Sequence, residues 1–153
     1  MKKEFVMRGQ TASGGQEVLE FGGRQKENKN MAYKITEFIL YPSVTLGVGT
    51  NHELCGSISA GKTALAPETN VDFNNEALVA SSFTSLYSSV NFGPLVFSVI
   101  NDTFMITQNL ILMVKDQGGD SNPINWQCRF EAVKMTDAET AATNFKQYSI
   151  FDE

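Results

Sequence analysis

Between residues 124 and 132, apolar Ile124, Trp126, Cys128, Phe130 and Ala132 alternate with polar Asn125, Gln127, Arg129 and Glu131. A period of two puts the sets on opposite faces of a strand, one face in a core and the other in water or against a partner. Residues 33–41 are rich in aromatic and β-branched side chains and are stopped by Pro42, which predicts a core strand. Shorter strands are expected at 45–48 and 54–59, separated by Gly47, Gly49, Asn51 and His52. Residues 61–75 read as a long loop punctuated by Pro67, Asn70, Asn74 and Asn75. Residues 76–85 fit a short helix or a strand, and their Ser and Thr content favours the strand.

Residues 95–100 and 103–115 are apolar runs divided by Asn101 and Asp102, a polar pair expected to turn a hairpin although it lacks the favoured glycine. These runs are expected at the centre of the sheet. The second places Phe104, Ile106, Leu110, Leu112 and Val114 on one face and Met105, Thr107, Asn109, Ile111 and Met113 on the other. Its C-terminal half is thus apolar on both sides, which calls for a second sheet on one face and a helix, an arm or a neighbouring subunit on the other. Residues 117–123 form a glycine-rich turn into the alternating strand.

A helix is expected from about Asp137 to about Gln147. Thr136 and Glu139 form a capping box, and Ala138, Ala141, Ala142 and Phe145 make an apolar stripe at helical spacing. Tyr148, Ile150 and Phe151 follow as an apolar tail, unusual at a chain end, and the tail is expected to dock on its own domain or on a neighbour.

Residues 1–32 read differently. After a short strand at 17–21, the segment from Gly22 to Asn30 holds only polar residues and glycine, the pattern of a flexible loop or an arm. Val18, Leu19 and Phe21 would be its apolar anchors. Three readings stand: a disordered N-terminus, an arm that orders against a neighbouring subunit, and an element added before a compact domain that opens near Met31. The division expected is an N-terminal arm at 1–32 and a β-sandwich domain at 33–153. About seven or eight short strands with long Asn- and Gly-rich turns and one terminal helix predict a mainly β fold, an antiparallel β-sandwich of which the jelly roll is one form. Helices between strands, which an α/β fold needs, are missing from the pattern.

Composition sharpens this picture. The chain of 153 residues is 42% hydrophobic and only 19% charged, with a formal net charge of −5. Its length suits one core without a metal or disulfide. An amide- and hydroxyl-rich surface costs less to desolvate than a charged one and suits packing against proteins or sugars. The negative balance, with no basic run beyond Lys2 and Lys3, argues against nucleic acid as partner. No apolar stretch is long enough for a membrane span or a secretory signal, so the chain reads as soluble and cytoplasmically made. Cys55 and Cys128 are too few for a zinc ribbon or a redox pair. They read as two buried thiols, with a single disulfide as the alternative.

Candidate chemistry is sparse. Residues 56–63, from Gly56 through Gly61, Lys62 and Thr63, match the phosphate-binding loop pattern in full. Pro67 would break the required helix after little more than one turn, however, and Ser57, Ile58 and Ser59 read as strand, so a strand and turn are expected. His52 is the only histidine and reads as an exposed turn residue. Asp116, Asp120 and Asn122 could hold a weak calcium ion, but not at helix-loop-helix spacing, and a solvated turn is the plainer reading. Asn101, Asp102 and Thr103 form a glycosylation triplet, read as a turn. The expectation is no enzyme and no cofactor or metal.

The run from Met7 to Gly15 ahead of 31–41, the run from Val99 to Phe104, and the strand and helix between Trp126 and Gln147 resemble the small β-rich structural proteins of tailed bacteriophages. These are the cement or decoration proteins of heads and the small tail or adaptor components. The resemblance is diffuse over much of the chain and contains no diagnostic motif. It implies a non-enzymatic virion protein, made in the host cytoplasm, that binds other virion structural proteins and copies of itself, often as a trimer. Val18, Leu19, Phe21, Phe145, Tyr148, Ile150 and Phe151 are the lattice or oligomer contacts expected on this reading. A carbohydrate-binding β-sandwich is the alternative; it would need Trp126 or the tyrosines as a solvent-facing platform, and the alternation puts Trp126 on the core face.

Overall fold

Residues 124–132 alternate because they run through the middle of a sheet with one covered face. The computed structural model describes residues 3–21, 30–44, 51–69, 71–87, 95–118 and 122–151. Among them are β1 (Glu4–Thr11), β2 (Gln16–Leu19), β3 (Met31–Pro42), β4 (Asn51–Ala60), β5 (Leu78–Tyr87), β6 (Leu95–Ile100), β7 (Leu110–Asp116), β8 (Ile124–Lys134) and α1 (Asp137–Phe151). The strands form two antiparallel sheets, β1-β8-β3 and β2-β7-β4-β5-β6. The fold is therefore mainly β, sandwich-like, with one short C-terminal helix, as the pattern predicts. The strand expected at 45–48 lies outside the described residues.

The pairing follows a jelly roll with one rung replaced. A hairpin strip of eight strands rolled up on itself pairs first with last, second with seventh and fourth with fifth. All three ladders are present: Glu4↔Glu131 to Thr11↔Ile124, Gln16↔Met113 to Leu19↔Leu110, and Asn51↔Tyr87 to Ser59↔Leu78. The remaining rung would join β3 to β6. Here β6 pairs with β5 instead, from Ala80↔Ile100 to Ser85↔Leu95, and meets β3 through the Ser98 hydroxyl, which donates to the Phe38 carbonyl at 2.6 Å.

Several expectations change. The segment read as an arm supplies β1 and β2, one strand to each sheet, and the expected boundary at residue 32 falls inside β3. Leu19 and Phe21 are fully buried in the chain's own core. Phe21 stacks edge-on against Phe130 with ring centroids 4.9 Å apart, and Phe5 lies 5.5 Å from Phe130 and 5.4 Å from Tyr33. The Phe21 amide donates to Asn109 Oδ1 at 2.7 Å. Each such side chain contributes about 2–3 kcal/mol by burial, so these anchors hold this domain together.

Asn101 and Asp102 do not turn a β6–β7 hairpin, because β6 lies at the sheet edge and β7 lies between β2 and β4. Without a glycine the turn stays local: Asn101 Oδ1 accepts from the Thr103 amide and hydroxyl. Residues 103–109 then cross to the other sheet, where Ile106 and Tyr33 exchange backbone bonds at 2.7 and 3.0 Å. The strand covered on both faces is β4, buried from Leu54 to Ala60, with the Ser57 hydroxyl bonded to the Leu65 carbonyl of the loop expected at 61–75.

The helix extends past Gln147 to Phe151 and absorbs the apolar tail. The Glu139 amide donates to Thr136 Oγ1 at 3.2 Å, as a cap should. Its expected apolar stripe nevertheless faces outward: Ala138, Ala141, Ala142 and Phe145 are exposed, while Gln147 and Ile150 are buried. Gln147 Oε1 accepts from the amides of Thr107 and Gln108, and its Nε2 donates to the Met105 carbonyl. The buried amide thus satisfies three backbone groups and ties the helix to residues 105–108.

Candidate functional site

The phosphate-loop pattern is accounted for by packing. Gly56 to Ala60 are strand, and Gly61 turns the chain at φ +112°, a conformation glycine adopts freely. A Cβ on Gly56 would lie 2.9 Å from Phe38 Cζ, so the first glycine makes room for a core ring. Lys62 and Thr63 are exposed, and no helix follows them.

His52 is not an exposed turn residue. β4 begins at Asn51, and the strand's period puts His52 on the core face with Leu54 and Ile58. Its Nδ1 lies 2.9 Å from Asp116 Oδ2, and both side chains are buried. Asp116 Oδ1 accepts from the amides of Glu53, at 3.2 Å, and Gly118, at 2.8 Å. His52 Nε2 has no partner among the described residues. The carboxylate is thus committed to protein donors and ties the start of β4 to the end of β7. Asp120 of the candidate calcium loop lies outside the described residues. No group of three or more histidine, cysteine or acidic side chains placed to hold a metal occurs among the described residues.

Cys55 and Cys128 are free thiols, both buried. Burial first, then the carboxylates of Glu68, Asp116 and Glu53, pushes the Cys55 thiol up to about 11. Burial, aided by Glu37, also raises Cys128. Both are held in the form that is a poor nucleophile.

The expected contact residues divide by burial. Val18 on β2 is 58% exposed, Phe145 is 76% and Tyr148 is 58%. Leu19, Phe21 and Ile150 are buried within the chain and are not available to a neighbour as placed. Phe151 ends the helix, and its side chain lies outside the described residues.

Among the described residues, periodicity does not reveal a cluster of exposed apolar side chains on β6. Leu95, Val96, Phe97 and Val99 of β6 are each more than half exposed, and Phe83 on the neighbouring strand is 38% exposed. A continuous apolar run reads as a strand buried on both faces. Here a five-stranded sheet faces one of three strands, and β6 overhangs the edge of β3 at the Ser98–Phe38 bond. The inward-facing Val96 is therefore left without a roof.

The outer face of the three-stranded sheet is different in character. The register sets Arg8, Gln127 and Ile39 in one row and Gln10, Asn125 and Tyr41 in the next. A shallow cleft of about 500 Å³ runs over Arg8, Tyr41, Asn125 and Gln127. Tyr41 is 67% exposed, whereas Trp126 is buried and donates to Thr11 Oγ1 at 2.9 Å. Trp126 is thus a core residue, as its alternation implies. Among the described residues no helix is long and apolar enough to cross a membrane. No family model and no curated protein matches the chain.

Proposed function

We propose that this β-sandwich is a non-enzymatic virion structural protein of a tailed bacteriophage that stabilises a capsid or tail lattice through protein–protein contacts. The observation that carries the reading is the contiguous apolar surface of β6 on a sandwich whose core is already filled from within the chain. Exposed apolar patches of this kind mark interaction sites. Phe145 and Tyr148 on α1 and Val18 on β2 supply further exposed apolar contacts. The jelly-roll pairing is compatible with this role, since that architecture recurs in capsid domains, but it recurs in lectins too and does not decide between them.

Quantitative mass spectrometry of gradient-purified particles from the culture that makes the chain tests the proposal. Many copies per particle, retained through the gradient, support it. Recovery of the chain only in the particle-free fraction contradicts it.

A carbohydrate-binding module is the second reading, favoured by exposed Tyr41 beside Arg8, Asn125 and Gln127. With Trp126 in the core, the aromatic platform reduces to one ring. Saturation-transfer NMR against a glycan panel, with Tyr41→Ala as control, separates the two.

A further inference from the structure

The phase of the β5–β6 ladder shows what the open edge offers. The Asn101 amide donates to the Val79 carbonyl at 2.8 Å. In an antiparallel ladder bonded pairs recur at every second residue, so Val99, Phe97 and Leu95 direct their backbone groups at Ser81, Phe83 and Ser85. The amides and carbonyls of Val96, Ser98 and Ile100 then point away from β5, along an edge that no strand among the described residues occupies. Protective devices are missing from it. β6 carries no charge, no proline and no bulge, although these are the usual means of blunting an edge.

We propose that β6 pairs antiparallel with β6 of a second copy about a two-fold axis at Ser98, joining two five-stranded sheets into one. Three features of the strand select this occupant. First, β5 and β6 contain no ionisable group except the Tyr87 phenol, so two chains of net charge −5 can meet here without facing like charges. Second, an axis at Ser98 opposes Val96 to Ile100 of the copy and Ser98 to itself. All three residues whose backbone groups have no partner among the described residues then fall in bonded pairs, giving about six new backbone bonds. Third, the same register sets Phe97 opposite Val99 of the copy in a close non-bonded pair, an aromatic and β-branched match of the kind that stabilises sheets. Leu95, Phe97 and Val99 stand on one face of β6 and Val96 on the other, and each gains a cross-strand neighbour from the copy along the joined edge. The isologous β6–β6 pair closes at two copies, so this proposal gives a dimer where the resemblance implies a trimer.

This inference deepens the structural role by naming a self-contact, and it can fail without it. Val96→Pro is the decisive variant. Its amide points to the open edge, so proline removes no bond to β5 but removes a donor from the pair and obstructs the approach. Sedimentation velocity is expected to show a monomer–dimer equilibrium for the native chain and monomer alone for Val96→Pro, with the far-ultraviolet spectrum and melting temperature nearly unchanged. Val99→Lys, which changes no backbone group, is expected to weaken the dimer at least tenfold. Hydrogen exchange is expected to slow at the amides of Val96, Ser98 and Ile100 as concentration rises. A native chain that is monomeric throughout, or a dimer that survives both variants with these amides exchanging freely, overturns the proposal. Either result leaves the count of copies in purified particles, and with it the structural role, untouched.

Discussion

Asp116 illustrates how far one side chain can be from its reading in sequence. Beside Gly118 and Gly119 it suggests a solvated loop or a calcium ligand, yet its carboxylate is buried and takes His52 and two amides as partners. That was not legible because His52 and Asp116 are 64 positions apart and meet only when β4 and β7 pair. Removing the carboxylate leaves those donors buried without an acceptor. Asp116→Ala should therefore lose about 3 kcal/mol of stability in urea unfolding; a loss below experimental error contradicts the burial. The thiols were legible as buried hydrophobes, and their titration follows. An unfolded cysteine ionises near 9.0, whereas folded Cys55 holds its proton to about 11. The unfolded chain therefore binds fewer protons between these values, and stability should fall as pH rises through that window. At neutral pH the native protein should resist a thiol reagent that labels both cysteines at once in denaturant; rapid native labelling contradicts this.

At the scale of elements, alternation and chain breakers located most strands correctly. β8 and β3 are where the period of two and Pro42 put them, and α1 starts at the expected cap. Periodicity failed where a neighbour outside its window decided the outcome. The N-terminal 21 residues lack a long apolar run, and their few anchors read equally well as an arm; β7 and β8 make strands of them by offering edges to pair with. Phe21→Ala should accordingly cost about 4 kcal/mol and broaden or abolish the cooperative melt. A folded domain with an unchanged melt would restore the arm. On α1 the two stripes should respond oppositely. Phe145→Ser should leave the melting temperature within error, while Ile150→Ala, which empties a buried site, should cost about 2–3 kcal/mol. Equal effects would show that the helix packs by its alanine face. Methyl groups mark that face in the sequence, whereas the three hydrogen bonds that Gln147 makes on the other face leave no periodic signal.

Over the whole molecule, sheet width governs what remains exposed. Three strands cannot cover five, and the mismatch falls at β6, where the jelly-roll rung to β3 is replaced by a side-chain bond. Fold class could be read from strand count and turn chemistry, since each strand carries its own pattern. The overhang could not, because whether an apolar strand is roofed depends on how many strands the opposite sheet acquires. Among the described residues the core is filled and the uncharged apolar edge of β6 is open, and the proposed self-association runs through that edge. The most direct measurement is the solution mass of the full-length protein by sedimentation velocity over a concentration series. The mass is expected to rise from one chain to two and to stop there. A strict monomer at every concentration, or a closed trimer or larger ring, would contradict it.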